Sequence, residues 1–252
     1  MDGGGGATVT FRLFDWVDSD GVREPGQLYH ERLDLLADAE SQAFDIYHLA
    51  EHDGTPLGLV PSPNVFLAAA AVRTTQIRLC PLVYVLPLYQ PARLAEEIAM
   101  LDQLSGGRLE IGFGKGGNPY ELLPYGIDRG EAQRRCDQAF DSVLRILESG
   151  TIDAQGPTAG AADMPIRTRQ APYPPIWYPS SNPESVPGLT STSMAWRTRR
   201  PGCRWAARGC GPRVSGSCAT STWGSPTATP PRSSLVRFGE QVAPALRGLG
   251  PG

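Results

Sequence analysis

The chain has 252 residues, 40% hydrophobic and 19% charged, with 23 Lys plus Arg against 26 Asp plus Glu. This composition excludes collagen-like, repetitive and intrinsically disordered chains, and the length suffices to bury a core without disulfides or a metal. One domain is the default, with two small ones as the alternative. The near-neutral total hides an uneven distribution. Residues 1–185 hold 25 of the 26 acids and 14 of the 23 basic residues, a balance of −11, while the last 67 carry nine Arg and only Glu240, or +8.

The first residues lack a basic n-region and an apolar h-region, and no stretch of about 18 apolar residues occurs. A cytoplasmic protein is therefore expected, with no membrane partner. Five cysteines (Cys80, Cys136, Cys203, Cys210, Cys218) form no CxxC pair and have three His for company, so neither a disulfide framework nor a metal site is indicated.

Residues 10–17 (TFRLFDWV) read as a strand, and 27–44 as a helix with Leu28, Leu33, Leu35, Leu36, Ala39 and Ala43 on one face. A second strand at 45–49 is followed by a helix at 64–73. The third strand, 76–86 (QIRLCPLVYVL), is continuously apolar after Arg78, as expected of a strand buried on both faces. Its helix, 92–104, stops at Gly106-Gly107. In it Leu94, Ile98, Met100 and Leu101 read as a packing stripe, and Glu96, Glu97 and Asp102 as caps or ion pairs. A fourth strand at 108–113 enters a Gly-rich loop, and after two Pro-bearing turns comes a helix at 130–149. A loop-like stretch, 150–175, precedes a fifth strand at 176–178. Strands alternating with helices predict a parallel sheet covered by helices. Five βα units without a reversal favour a (β/α)8 barrel over an open doubly wound sheet.

Residues 186–234 break the pattern, with no acid, no Ile or Phe, seven Arg and three Cys among abundant Pro, Gly, Ser and Thr. Residues 235–249 resemble a terminal helix again. Arg outnumbers Lys 22 to 1, a sign of GC-rich coding DNA, and a shifted frame in such DNA yields this mixture. The segment reads as frameshifted or misassembled; a disordered basic arm and an unusual fold element are the alternatives. Under the first reading the +8 says nothing about partners, and no nucleic-acid partner is expected.

In a parallel α/β fold, ligands meet the C-terminal ends of the strands. That topology nominates Asp15 and Trp16, then Glu51, His52 and Asp53, then residues 84–87, 112–118 and 180–182. His52, flanked by two acids, could accept a proton or belong to a solvated loop. The loop GFGKGGN carries the only lysine, Lys115, and satisfies G-x-G-x-x-G after a strand. It could cradle a phosphate or be a tight structural turn. Pro119 and Pro124 stand where a dinucleotide fingerprint requires a helix.

Three blocks, FDIYHLAEHDG (44–54), VLPLYQPARLAEEIAMLDQLSGGRLEIGFGKG (85–116) and PPIWYPSSNPES (174–185), resemble the bacterial luciferase-like monooxygenases. The resemblance covers residues 10–185. It implies a (β/α)8 TIM barrel binding reduced FMN, or in one branch a deazaflavin, often as a homodimer through its second and third helices. The flavin reacts with O2 to oxidise a small organic substrate such as an aldehyde, and a separate NAD(P)H flavin reductase supplies the reduced form. Position by position, His52 matches the catalytic histidine of the family's E-H-H motif, and Asp53 departs from its second histidine. Lys115 falls where luciferases have an arginine near the flavin phosphate, and Gly114 and Gly116 flank it. Leu82 and Val83 match the site of a non-prolyl cis peptide beneath the flavin ring. Asp15, Glu51 and Tyr84 are the expected substrate pocket. Gln90 stands where many relatives have His.

The departure is at the end, where family members carry three further βα units. The expected organisation is an incomplete barrel over 1–185, the aberrant segment 186–234, and a remnant helix within 235–252. The rival reading is an inactive relative that only binds flavin or dimerises; deazaflavin-dependent oxidoreduction is another. The coding DNA decides the frameshift: another frame of codons 186–234 is expected to restore acids and alternating strand and helix patterns. If no frame does so, the segment was translated as intended.

Overall fold

A computed structural model describes residues 10–19, 21–154 and 160–178, with Glu240 and Pro244 besides. Residues 180–182, the segment 186–234 and almost all of the remnant 235–252 therefore lie outside the described residues. Within the rest, parallel strands alternate with helices: β1 (Arg12–Asp15), α1 (Pro25–Ser41), β2 (Ile46–Leu49), α2 (Pro63–Arg73), β3 (Arg78–Pro81), β4 (Tyr84–Val85), α3 (Pro91–Leu104), β5 (Ile111–Gly114), α4 (Pro119–Leu122) and α5 (Arg129–Ser149). An antiparallel hairpin, β6 (Thr151–Ala154) and β7 (Gly160–Asp163), precedes β8 (Ile176–Trp177).

Every pairing outside the hairpin is parallel: β1 with β2, β2 with β3, β4 with β5, and β5 with β8. A parallel bridge between Leu79 and Leu109 ties β3 to the chain entering β5. Thus β3 and β4 form one interrupted stave, and five staves make an arc of a (β/α)8 barrel. The fold class is the expected one, α/β with an incomplete barrel over the described residues.

Register assigns the two faces. Leu13, Tyr47, Leu79 and Ile111 are buried in the layer shared with Leu36, Leu67, Ile98 and Val143 of the helices. Residues of the opposite parity, Phe14 and His48, lie on the face that lines a barrel's interior. There the Arg12 guanidinium stacks 4.5 Å over the Trp177 ring, and His48 meets the same ring edge-on. Burial, with Arg12 nearby, lowers the His48 pKa to about 3, so its imidazole is neutral.

Several boundaries differ from the sequence reading, for identifiable reasons. Helices α1 to α4 each begin on a proline, at Pro25, Pro63, Pro91 and Pro119. A first-turn residue needs no amide hydrogen, because its N–H has no partner within the helix. Pro119 therefore opens a short helix instead of excluding one. Residues 150–175, expected as loop, contain the β6/β7 hairpin. Met100 is 49% exposed, so it leaves the stripe formed by the buried Leu94, Ile98 and Leu101. Asp102 accepts the Gln170 backbone N–H at 2.9 Å and its side-chain amide at 2.8 Å, and Glu97 binds Arg93 and Asn64. Both acids are structural, as expected.

The third strand, expected as one run, breaks at Leu82-Val83, where the peptide is cis. The next stave accommodates the break with glycines. A Cβ on Gly112 would lie 2.5 Å from the Pro81 carbonyl oxygen, one on Gly114 would lie 2.8 Å from Val83 Cγ2, and one on Gly116 would lie 2.9 Å from Val85 Cγ1. Gly117, by contrast, faces open space. Gly114→Ala is therefore expected to destabilise the fold by about 1–3 kcal/mol through overpacking. Gly117→Ala should stay within about 0.5 kcal/mol of the parent. Equal denaturant midpoints for the two variants would show that the close approach does not matter.

Candidate active site

The chain leaving β2 folds over the C-terminal ends of the staves and is pinned there by backbone hydrogen bonds. Ala50 N–H donates to the Asp15 carbonyl at 2.9 Å, Leu59 N–H to that of Val17 at 3.0 Å, and His52 N–H to that of Val60 at 3.2 Å. The His52 ring stands edge-on to Trp16, 5.6 Å between centroids. A Cβ on Gly58 would sit 2.6 Å from the Trp16 carbonyl oxygen and 3.0 Å from His52 Cδ2, so glycine alone lets the loop close against the ring. His52 Nδ1 lies 2.8 Å from Glu121 Oε1, and the Thr55 hydroxyl donates to that same oxygen at 3.1 Å. Beside His52 opens a cleft of about 420 Å³ whose walls include Tyr29, Pro56, Leu59 and Pro61.

The flanking acids point inward. Glu51 accepts the Val85 backbone N–H at 3.1 Å and the Tyr89 hydroxyl at 2.9 Å, both on Oε2. Burial pushes its carboxyl well above the usual range, and Asp53 adds to the rise; the two hydrogen bonds do not offset them. Asp53 is raised by burial too, against the opposing pull of the Tyr125 hydroxyl, which donates to Oδ1 at 3.0 Å. The Asp53 and Glu51 carboxyls also face each other and can hydrogen-bond only by holding a proton between them. Two carboxyls sharing a desolvated site favour keeping a proton.

The other nominated residues separate into two groups. Leu82, Val83 and Gly116 are half-buried at the mouth, Gly114 is buried beneath them, and Lys115 projects exposed from the Gly-rich loop. Among the described residues Lys115 makes no ion pair.

Of the nominated residues only His52 lines the cleft; Glu51, Leu82, Val83, Gly114, Lys115 and Gly116 lie outside its walls, and Asp15 and Tyr84 turn toward the helices. Asp15 faces α1, accepting the Tyr47 hydroxyl at 2.8 Å and lying 3.4 Å from Arg32, because its place in β1 has the parity of Leu13. Tyr84 is fully buried among Tyr89 and Phe113, with its hydroxyl on Asn64 of α2. Gln90 is exposed and caps α3 by accepting Arg93 N–H at 2.6 Å. Sequence reasoning missed Glu121, Thr55, Tyr89 and Tyr125. An acid in the first turn of a proline-led helix looks like a dipole partner, and only long-range folding carries it to His52. No group of three or more His, Cys, Asp or Glu among the described residues could hold a metal.

The sequence model of the luciferase-like monooxygenases matches residues 9–194. The chain belongs to that family. The luciferase-like chain is 41% identical over 180 residues to an uncharacterised protein, y4wF, of Sinorhizobium fredii, covering 71% of this chain and 52% of that protein. It is 31% identical over 166 residues to the oxygenase component of the flavin-dependent trigonelline monooxygenase of Acinetobacter baylyi, covering 63% and 45%. Its fold is similar to that of the monooxygenase RslO1 from Streptomyces bottropensis, with a TM-score of 0.64 and 30% identity over 70% of this chain and 55% of that one. The luciferase-like chain thus spans about half the length of the relatives it matches.

The raised Glu51 pKa has a consequence for stability. The folded chain holds a proton that the unfolded chain releases, so stability from this group is intact below the ordinary carboxylate pKa and falls as pH rises toward the folded value. Glu51→Gln, which cannot ionise, should gain thermal stability relative to the parent between about pH 4 and pH 8. A difference that is constant over that range would refute the raised pKa.

Proposed function

We propose that this chain serves as the flavin-binding part of a two-component monooxygenase, in which His52 handles a proton during oxidation of a small organic substrate such as an aldehyde. The observation that carries the reading is the placement of His52 beside the cleft, with Nδ1 engaged and Nε2 making no hydrogen bond among the described residues. A reduced FMN with O2 would supply the oxidising chemistry. The residues fit such a group in kind: Lys115 and the open side of Gly117 offer a cation and a backbone surface for a phosphate, and Leu82 and Val83 offer an apolar ledge. Gly114 and Gly116 hold that ledge against the loop. Glu51 orders the mouth through Val85 and Tyr89, while Asp15 and Tyr84 back the pocket from the helix side.

The name of the trigonelline relative as an oxygenase component supports a separate NAD(P)H flavin reductase as partner. Homodimerisation through α2 and α3 is supported by Val65 and Val72, which are 73% and 77% exposed on α2. A cytoplasmic location accords with the absence, among the described residues, of a helix long and apolar enough to cross a membrane. A second reading, flavin binding without turnover, draws on Phe14, which is 42% exposed on the interior face of the described staves.

Titration with FMN, and in parallel with a deazaflavin, is expected to show saturable binding of one of them. Absence of binding of either at about tens of micromolar, an affinity near 6–7 kcal/mol, would sink the proposal. With a reductase, NADH and O2, aldehyde should be consumed; binding without consumption favours the second reading. His52→Ala is expected to slow oxidation by about a hundredfold with flavin affinity unchanged. An unchanged rate would remove His52 from the reaction.

A further inference from the structure

We propose that Glu121 is the positioning residue of His52: it holds the imidazole with its proton on Nδ1 and leaves Nε2 as the nitrogen that meets the substrate. The inference rests on the reading of His52 as the catalytic group. Glu121 is 3% exposed, and its Oε1 receives both His52 Nδ1 at 2.8 Å and the Thr55 hydroxyl at 3.1 Å. An ionised carboxylate has only acceptors, so the nitrogen facing it must be the donor, and the neutral ring then carries its lone pair on Nε2.

The carboxylate is itself held. The Asn118 side chain accepts Tyr120 N–H at 3.0 Å, Glu121 N–H donates to the Asn118 carbonyl at 3.2 Å, and Leu122 packs with Val85, Ile127 and Ala132. Trp16 stands edge-on to the ring and Gly58 lies against its Cδ2 edge, while the ring also lines the cleft. Thr55 and His52 belong to one loop and Glu121 to another, 66 and 69 residues away, so the single carboxylate clasps the β2–α2 and β5–α5 connections together at the mouth. The other two acids nearby are engaged elsewhere, Glu51 with Val85 and Tyr89, Asp53 with Tyr125, and the two with each other. Among the described residues Glu121 is thus the one acid bonded to the ring.

The full chain, labelled with ¹⁵N at histidine and assigned with His52→Gln, can be read by long-range ¹H–¹⁵N correlation at about pH 8, above the ordinary imidazole pKa. In the parent, His52 is expected to carry its proton on Nδ1. In Glu121→Gln the side-chain amide can present a donor, and the Nε2–H form should gain; Glu121→Asp should restore Nδ1–H. A parent ring protonated on Nε2 overturns the proposal outright, whether or not E121Q folds. So does a tautomer unchanged in a folded E121Q.

In turnover, E121Q should lower kcat by about 10–100-fold with the flavin Kd and the substrate KM unchanged, by analogy with other groups that orient a functional histidine. A shifted tautomer with an undiminished kcat also refutes the positioning role. If the parent binds no flavin, the monooxygenase reading fails, and the tautomer measurement still decides what Glu121 does.

Discussion

The close approach of β5 to the interrupted third stave is the constraint on which the mouth of the barrel depends. Pro81, Val83 and Val85 occupy the space where side chains on Gly112, Gly114 and Gly116 would otherwise stand. Beyond Leu82-Val83 the chain resumes as β4, paired with β5 through Tyr84 and Val85. The continuation of the same chain then places Val85 N–H on Glu51, and through Glu51 fixes the loop that carries His52. A glycine-rich sequence that looks made for a ligand is, at these positions, first a packing device.

Around that contact the electrostatics are arranged by burial. Glu51 and Asp53 lie too deep to be solvated and are driven toward their protonated forms. Glu121 is engaged by His52 and Thr55. Three acids within one mouth thereby take different roles, decided by which donors the fold brings to each. The face lined by Arg12, His48 and Trp177 is polar in composition but neutral at His48, whose burial suppresses its charge.

Much of the architecture is legible in the sequence because helices and strands bury faces of different period. The alternation of apolar runs with amphipathic helices identifies the class, and the ends of α3 and α5 fall where Gly106 and Gly150 stand. The starts of α1, α2 and α3 read from the sequence fall late because a first-turn proline looks like a breaker until its missing N–H is recognised as harmless there. The β6/β7 hairpin escapes because its strands, rich in Ala, Gly, Asp and Thr, lack the β-branched apolar pattern. Topology alone nominates Asp15 and Tyr84, and it says which end of a strand a residue occupies but not which face.

The sequence by itself determined that this is an α/β barrel chain of the luciferase-like family, that His52 sits on a strand-end loop, and that the acidic charge lies within residues 1–185. Those properties follow from local period, composition and motif, which neighbouring residues carry together. Only the tertiary structure decided that Glu121 meets His52, that Glu51 is clasped by Val85 and Tyr89, and that Asp15 turns toward α1. Each of these arrangements depends on elements that are not neighbours in the chain. Their energies come from burial and hydrogen bonds that exist only once the staves are side by side.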